Sequence, residues 1–223
     1  MRQTITLILL LASSFAAALE VPVDDLDSWT ILSFSNIKPN EVSVAENALL
    51  IEVRGSASPL IYKFDRPQRI SGVNVRARWQ GALKIPAGAV EGEKGADDFV
   101  LKFGIVEAGK RRLNWFQRRV AADWIKQLFK LAPEDSGVER INFLSTTQQK
   151  DRLGTSRQHP LSDLLYESRI VYLDAPGSFE LKHDFPEPVE TLGLWVSVDG
   201  DDTGSNFDLR IDSITLDTVS GSK

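Results

Sequence analysis

The sequence predicts an all-β fold: two antiparallel sheets packed face to face as a jelly roll, with one amphipathic helix inserted. Three observations predict it. Apolar residues alternate with period two through most of the chain; Gly, Pro, Asn and Asp punctuate the runs; and a single segment shows helical spacing instead. About ten short strands, each with one apolar face, find cover by packing sheet on sheet.

The clearest strand is Ile70 to Gln80, where Val73, Val75, Ala77 and Trp79 share one face and Asn74, Arg76, Arg78 and Gln80 the other. Phe99, Leu101, Phe103 and Ile105 form a second inward row with Lys102 turned away. Leu192, Leu194, Val196 and Val198 make a third, opposite Gly193, Trp195 and Ser197, and Phe207, Leu209 and Ile211 a fourth. Shorter runs at 29–34, 48–53, 60–64, 138–144, 168–173 and 179–183 complete the set. Leu113 to Leu131 departs from this pattern. Phe116, Val120, Trp124, Leu128 and Leu131 follow one another at intervals of four or three, a helical stripe with Asn114 as N-cap and Pro133 as its stop.

The chain opens as an export signal. Arg2 supplies the positive start, Thr4 to Phe15 an apolar stretch rich in Leu and Ile, and Ala16, Ala17 and Ala18 the small residues a signal peptidase requires. The apolar run is shorter than the roughly 20 residues of a bilayer span. Cleavage after Ala18 leaves about 205 residues, expected as one β-sandwich domain over 19–223 with a helical insertion over about 113–132. The chain has no Cys, so packing must hold it without disulfides. A bacterial periplasm or cell exterior is the expected location. The net charge of −5 becomes more negative once Arg2 is lost, which disfavours nucleic acid as a partner.

Catalytic motifs are missing. The two His, His159 and His183, lie far apart without zinc-ligand spacing, and neither a Gly-x-Ser-x-Gly elbow nor a phosphate-cradling Gly loop is present. No catalytic residue is therefore named, and a non-enzymatic protein is expected. The sharpest local signal is acidic. Asp199-Gly200-Asp201-Asp202-Thr203-Gly204-Ser205-Asn206 crowds hard oxygen donors around two glycines, and Asp208 follows. Oxygen-rich, flexible loops suit Ca²⁺, so Asp199, Asp201, Asp202 and Asp208 are the metal candidates. The same residues also make ordinary hairpin turns, because they tolerate positive φ.

These motifs carry a resemblance. Gly193-Leu194-Trp195, the acidic hairpin and the closing strand Arg210-Ile-Asp-Ser-Ile-Thr-Leu216 are similar to the end of an exported bacterial domain-of-unknown-function family. Asp97-Asp98 before a Phe-rich strand, and Trp79 closing the Arg76–Arg78 strand, look like its other motifs. The layout also resembles jelly-roll carbohydrate-binding modules. The resemblance implies a jelly roll, brings no catalytic residues with it, and does not account for the helix.

On the outward sheet face, Arg76, Arg78 and Lys102 would stand beside Trp195 if their strands share a sheet. Sugars stack on aromatic planes and take planar hydrogen bonds, so these four residues are the candidate ligand site. The helix is a second unusual feature. Lys110 to Lys130 holds Lys110, Arg111, Arg112, Arg118, Arg119, Lys126 and Lys130 against Asp123 alone. Its aromatic stripe is expected to pack on the sandwich while its bases stay in water. The alternative is an interfacial segment on anionic lipid. A non-catalytic binding protein for a glycan, an acidic one included because Arg forks suit carboxylate or sulfate, or for another envelope component is the function expected. A membrane-surface or structural envelope protein comes second and a polysaccharide hydrolase or lyase third.

Overall fold

The computed structural model describes residues 16–160 and 162–219. The expected export segment lies outside these, apart from Ala16–Ala18, which open the first strand. In chain order the strands are β1 Ala16–Val21, β2 Trp29–Ile31, β3 Glu41–Ala45, β4 Ala48–Arg54, β5 Leu60–Ala82 and β6 Phe99–Gly109. Helices α1 Trp115–Val120 and α2 Asp123–Phe129 follow. The chain then runs through β7 Gly137–Thr147, β8 Ser156–Gln158, β9 Leu165–Tyr172, β10 Gly177–Asp199 and β11 Asn206–Val219.

The protein is a two-layer β-sandwich of the expected jelly-roll class, and two long strands join its layers. β5 and β10 each run 23 residues and belong to both. The later half of β5 and the first half of β10 pair with each other, and the same half of β5 pairs with β11, which carries β4 and β3. The first residues of β5 pair with β2 and with the end of β10, and β6, β7, β9 and β8 continue outward from there. Between the layers, Leu49, Ile51, Val75, Ala77, Trp79, Phe207 and Leu209 meet Leu101, Phe103, Ile105, Leu194 and Val196 in one core. The four expected inward rows thus all contribute to that core.

Two bulges redirect residues that simple alternation assigns to the core. The β6–β10 register shifts between Ser197 and Asp199, and Phe99 leaves the core row, so that Lys102 Nζ lies 4.0 Å from its ring centre. A second shift between Thr191 and Gly193 sends Leu192 to the opposite face, beside Trp195. The β7–β9 pair is parallel, an exception to the antiparallel expectation.

The expected single helix is two helices. Ala121 and Ala122 are extended (ψ 146° and 151°) and break it. Asn114 caps α1 as expected, in a capping box with Gln117. The apolar stripe divides at the break. Leu128 and Leu131 pack on Val106, Val138 and Ile141, whereas α1 buries no residue. Without a shared packing face, nothing holds the two turns collinear.

Candidate functional site

The outer face of the second layer, opposite the core, holds an open cleft of about 830 Å³. Strand register builds its floor. Trp195, Gly104, Phe143, Glu167 and Arg157 stand in one cross-strand row over β10, β6, β7, β9 and β8. Ser197, Lys102, Ser145 and Arg169 form the next row. Phe34 and the acidic loop between β10 and β11 line it as well, and Trp124 of α2 leans edge-on against Trp195 with ring centres 6.4 Å apart.

Lys102 is the electrostatic centre. It is only 7% exposed, yet its ammonium lies 3.3 Å from Asp97 Oδ1 and 3.4 Å from Glu167 Oε1. Burial alone would lower its pKa, but the carboxylates of Asp97, Glu167 and Asp199 outweigh burial and raise it. Glu167 shows the mirror effect. Burial pushes its carboxyl up, but Lys102 and the Arg157 Nε hydrogen bond at 2.7 Å bring it below the ordinary value. His159 Nε2 stands 3.7 Å from Asp97 Oδ2.

Two loops are fastened over this floor. Arg157 Nη2 donates to Gly92 O at 2.6 Å and Arg169 Nη2 to Glu91 O at 3.1 Å, which pins the 86–96 loop. Gly92 sits at φ +90°, and a Cβ there would come within 2.6 Å of both guanidinium groups, so the position requires glycine. The acidic segment Asp199–Asn206 is not the expected hairpin, because β10 and β11 pair with other strands and not with each other; it is a loop between the layers, stapled by acids. Asp98 accepts from Asp202 N, Thr203 N and Thr203 Oγ1, and Asp202 Oδ2 accepts from Gly95 N at 2.6 Å and Asp97 N at 3.0 Å. Backbone donors thereby answer part of the carboxylate crowding that pointed to a cation.

Asp199 lines the cleft, and its carboxyl is pushed up to about 7, first by burial and further by Asp201, Asp98 and Asp97, against the pull of Lys102. A raised carboxyl keeps its proton in the folded protein at pH values where the unfolded chain releases it. Stability from this group is therefore full below about pH 4 and is lost as pH rises through about 7. Asp199→Asn is expected to raise thermal stability at pH 8, by on the order of 2 kcal/mol, and to change it little at pH 4. Melting curves of parent and variant that stay parallel from pH 4 to 8 would refute this.

The expected site residues separate into two groups. Lys102 and Trp195 share the cleft with Asp199, Asp201 and Asp202. Arg76 and Arg78 lie on the outer face of the other layer, 3.6 Å from Glu180 and 3.2 Å from Asp212 respectively. The bend in β5 is the reason, because it carries this half of the strand away from β6. Asp208 lies on that layer too, 2.6 Å from Arg54 Nη1. Trp195 is only 3% exposed, with α2 over it. Asp97, Arg157, His159 and Glu167 join the site although alternation does not mark them. The available signal was Glu167 and Arg169, two apart in a strand and so on one face.

Asp97, His159 and Glu167 each bring a possible metal-ligand atom within 4.8 Å of the others. The Lys102 ammonium already contacts two of the three, so the donor set holds an internal cation.

No family model matches the chain, and no curated protein does. Among solved structures, the xylan-binding module CBM15 aligns with a TM-score of 0.40 at 12% identity, covering 94% of this chain and 100% of that one. The exoplasmic/lumenal domain of VIP36, in its Ca²⁺/Man3GlcNAc-bound form, aligns at 0.38 and 9%, covering 92% and 90%. The enzymatically active domain of bacteriophage CBA120 tailspike protein 4 aligns at 0.37 and 8%, covering 87% of this chain and 20% of that one. With TM-scores below 0.5, these likenesses decide nothing about the ligand.

Proposed function

We propose that the chain is an exported binding protein for a neutral glycan, held in the cleft over the Trp195–Phe143 row. The observation that carries this is the pairing of the partly exposed rings of Phe34 and Trp124, backed by the buried Phe143 and Trp195, with fixed polar groups in one open groove. Sugar rings lay their apolar faces on aromatic rings and give their hydroxyls to carboxylates and amides. Charge selects the glycan. Glu93, Asp97, Glu167, Asp199, Asp201 and Asp202 outnumber Lys94, Lys102 and Arg157, and two of those bases are committed to Glu167. An acidic polysaccharide would meet a surplus of like charge.

Calorimetric titration of the protein with xylan, mannan, glucan and polygalacturonate tests it. Neutral chains are expected to bind and polygalacturonate not to. Phe34→Ala and Asp201→Asn should each weaken binding by about tenfold, roughly 1.4 kcal/mol. Binding of polygalacturonate alone, or of no polysaccharide, would overturn the proposal. Calcium at Asp97, His159 and Glu167 would have to displace the Lys102 ammonium, so the titration is run in calcium and in chelator; a difference between them assigns an ion to the site.

A specific observation favours hydrolysis as a second reading. Burial pushes the Asp199 carboxyl up to about 7, while Lys102 and Arg157 bring Glu167 below its ordinary value in the same cleft, and glycoside hydrolysis uses two carboxyls set apart in this way. New reducing ends in the same mixtures, abolished by Asp199→Asn with binding retained, would assign it.

A further inference from the structure

α1 leaves Trp115, Phe116 and Val120 exposed at 71%, 65% and 67%, and buries nothing. Exposed aromatics grouped on one turn mark a contact surface. Their surroundings are cationic. Arg112, Arg118 and Arg119 are exposed, and Arg119 lies 5.0 Å above the Trp115 ring. Beside the helix a depression of about 390 Å³ has Phe129 and Leu113 in its lining, together with Arg111, Arg112, Arg118, Lys126 and Lys130, against Glu134 as its one acid.

We propose that α1 and this depression form a peripheral membrane contact for anionic phospholipid. Trp115, Phe116 and Val120 enter the interface, and the five bases receive lipid phosphates. Charge complementarity selects this occupant. A lipid surface offers many phosphates beside an apolar layer, which matches a cationic depression next to an apolar turn. Arg111 and Lys126 also contact Asp163 and Asp123 (2.9 and 3.1 Å), exposed pairs that a dense row of phosphates can replace. The helices themselves are too short to cross a membrane, so the contact is one of surface attachment.

The test is co-sedimentation of the protein with phosphatidylcholine vesicles, with or without about 30% phosphatidylglycerol. Binding is expected only with the anionic lipid and should fall about tenfold or more when salt is raised from low to well above physiological strength. Arg118→Glu with Arg119→Glu, and separately Trp115→Ser with Phe116→Ser, should each reduce binding about tenfold, with melting temperature unchanged because these side chains are exposed. Three results would overturn the proposal: no binding to anionic vesicles, binding untouched by both variants, or self-association abolished by the aromatic variant. Suppression of all binding by millimolar inorganic phosphate would also do so, since it would leave the bases as a site for the free anion. Glycan titration of the same variants should be unchanged, which separates this surface from the cleft.

Discussion

Lys102→Ala is expected to cost about 3–5 kcal/mol of stability at neutral pH, the loss typical when one member of a buried charge group is removed. Glu167 is only 2% exposed and would keep Arg157, but lose the ammonium 3.4 Å away. Asp97 would lose its contact at 3.3 Å. Lys102→Met restores most of the side-chain volume and none of the charge, so it should be nearly as costly. The loss should shrink as pH falls. Without Lys102, burial pushes Glu167 up, and a bound proton then relieves the uncompensated charge. Adding Glu167→Gln to Lys102→Met should recover part of the stability, a coupling that a double-mutant cycle measures. Urea titrations that show less than about 1 kcal/mol lost in Lys102→Met would mean that the cluster does not depend on its cation.

Gly104→Ala is expected to cost about 2–3 kcal/mol and to impair the cleft as well. Gly104 stands in the row between Trp195 and Phe143, and the absence of a side chain lets Ile141 and the Phe143 ring close over it. An added Cβ would lie 2.6 Å from Ile141 Cγ2, 2.8 Å from Phe143 Cε1 and 2.9 Å from Trp195 O. The two side chains can shift, but the Trp195 carbonyl belongs to the paired strand and cannot move without breaking the ladder. The displaced Phe143 ring has the cleft to move into. Glycan binding should therefore fall together with the melting temperature. A variant as stable as the parent, or one that binds glycan equally well, would show that the floor tolerates a methyl group.

The two helices of the insertion treat its apolar stripe differently. α2 lays Leu128 and Trp124 on the sandwich and roofs Trp195, as the packing expectation for the apolar stripe required. α1 keeps its part of the stripe exposed. The packing expectation therefore describes α2 alone, and the extended Ala121–Ala122 link is where packing ends.

The sequence by itself determined the strand rows, because side-chain alternation is a local property of an extended chain. Val73 to Trp79, Leu101 to Ile105 and Phe207 to Ile211 lie in the core on the faces their spacing assigned. It also determined the Asn114 cap, which depends on a neighbour three residues away, whereas the expected Asp199–Asn206 hairpin is a loop between strands that pair with other partners. The tertiary structure alone decided which charges meet. Lys102, Asp97, Glu167, Arg157 and His159 are brought together by register among β6, β7, β8 and β9, and a one-residue bulge is enough to move Phe99 or Leu192 to another face. It likewise separated Arg76, Arg78 and Asp208 from the cleft by bending β5. Pairing between strands distant in the chain sets register and bend, whereas alternation reports only which side of its own strand a residue occupies. A buried ion cluster with partners from several segments therefore leaves little trace in any one of them.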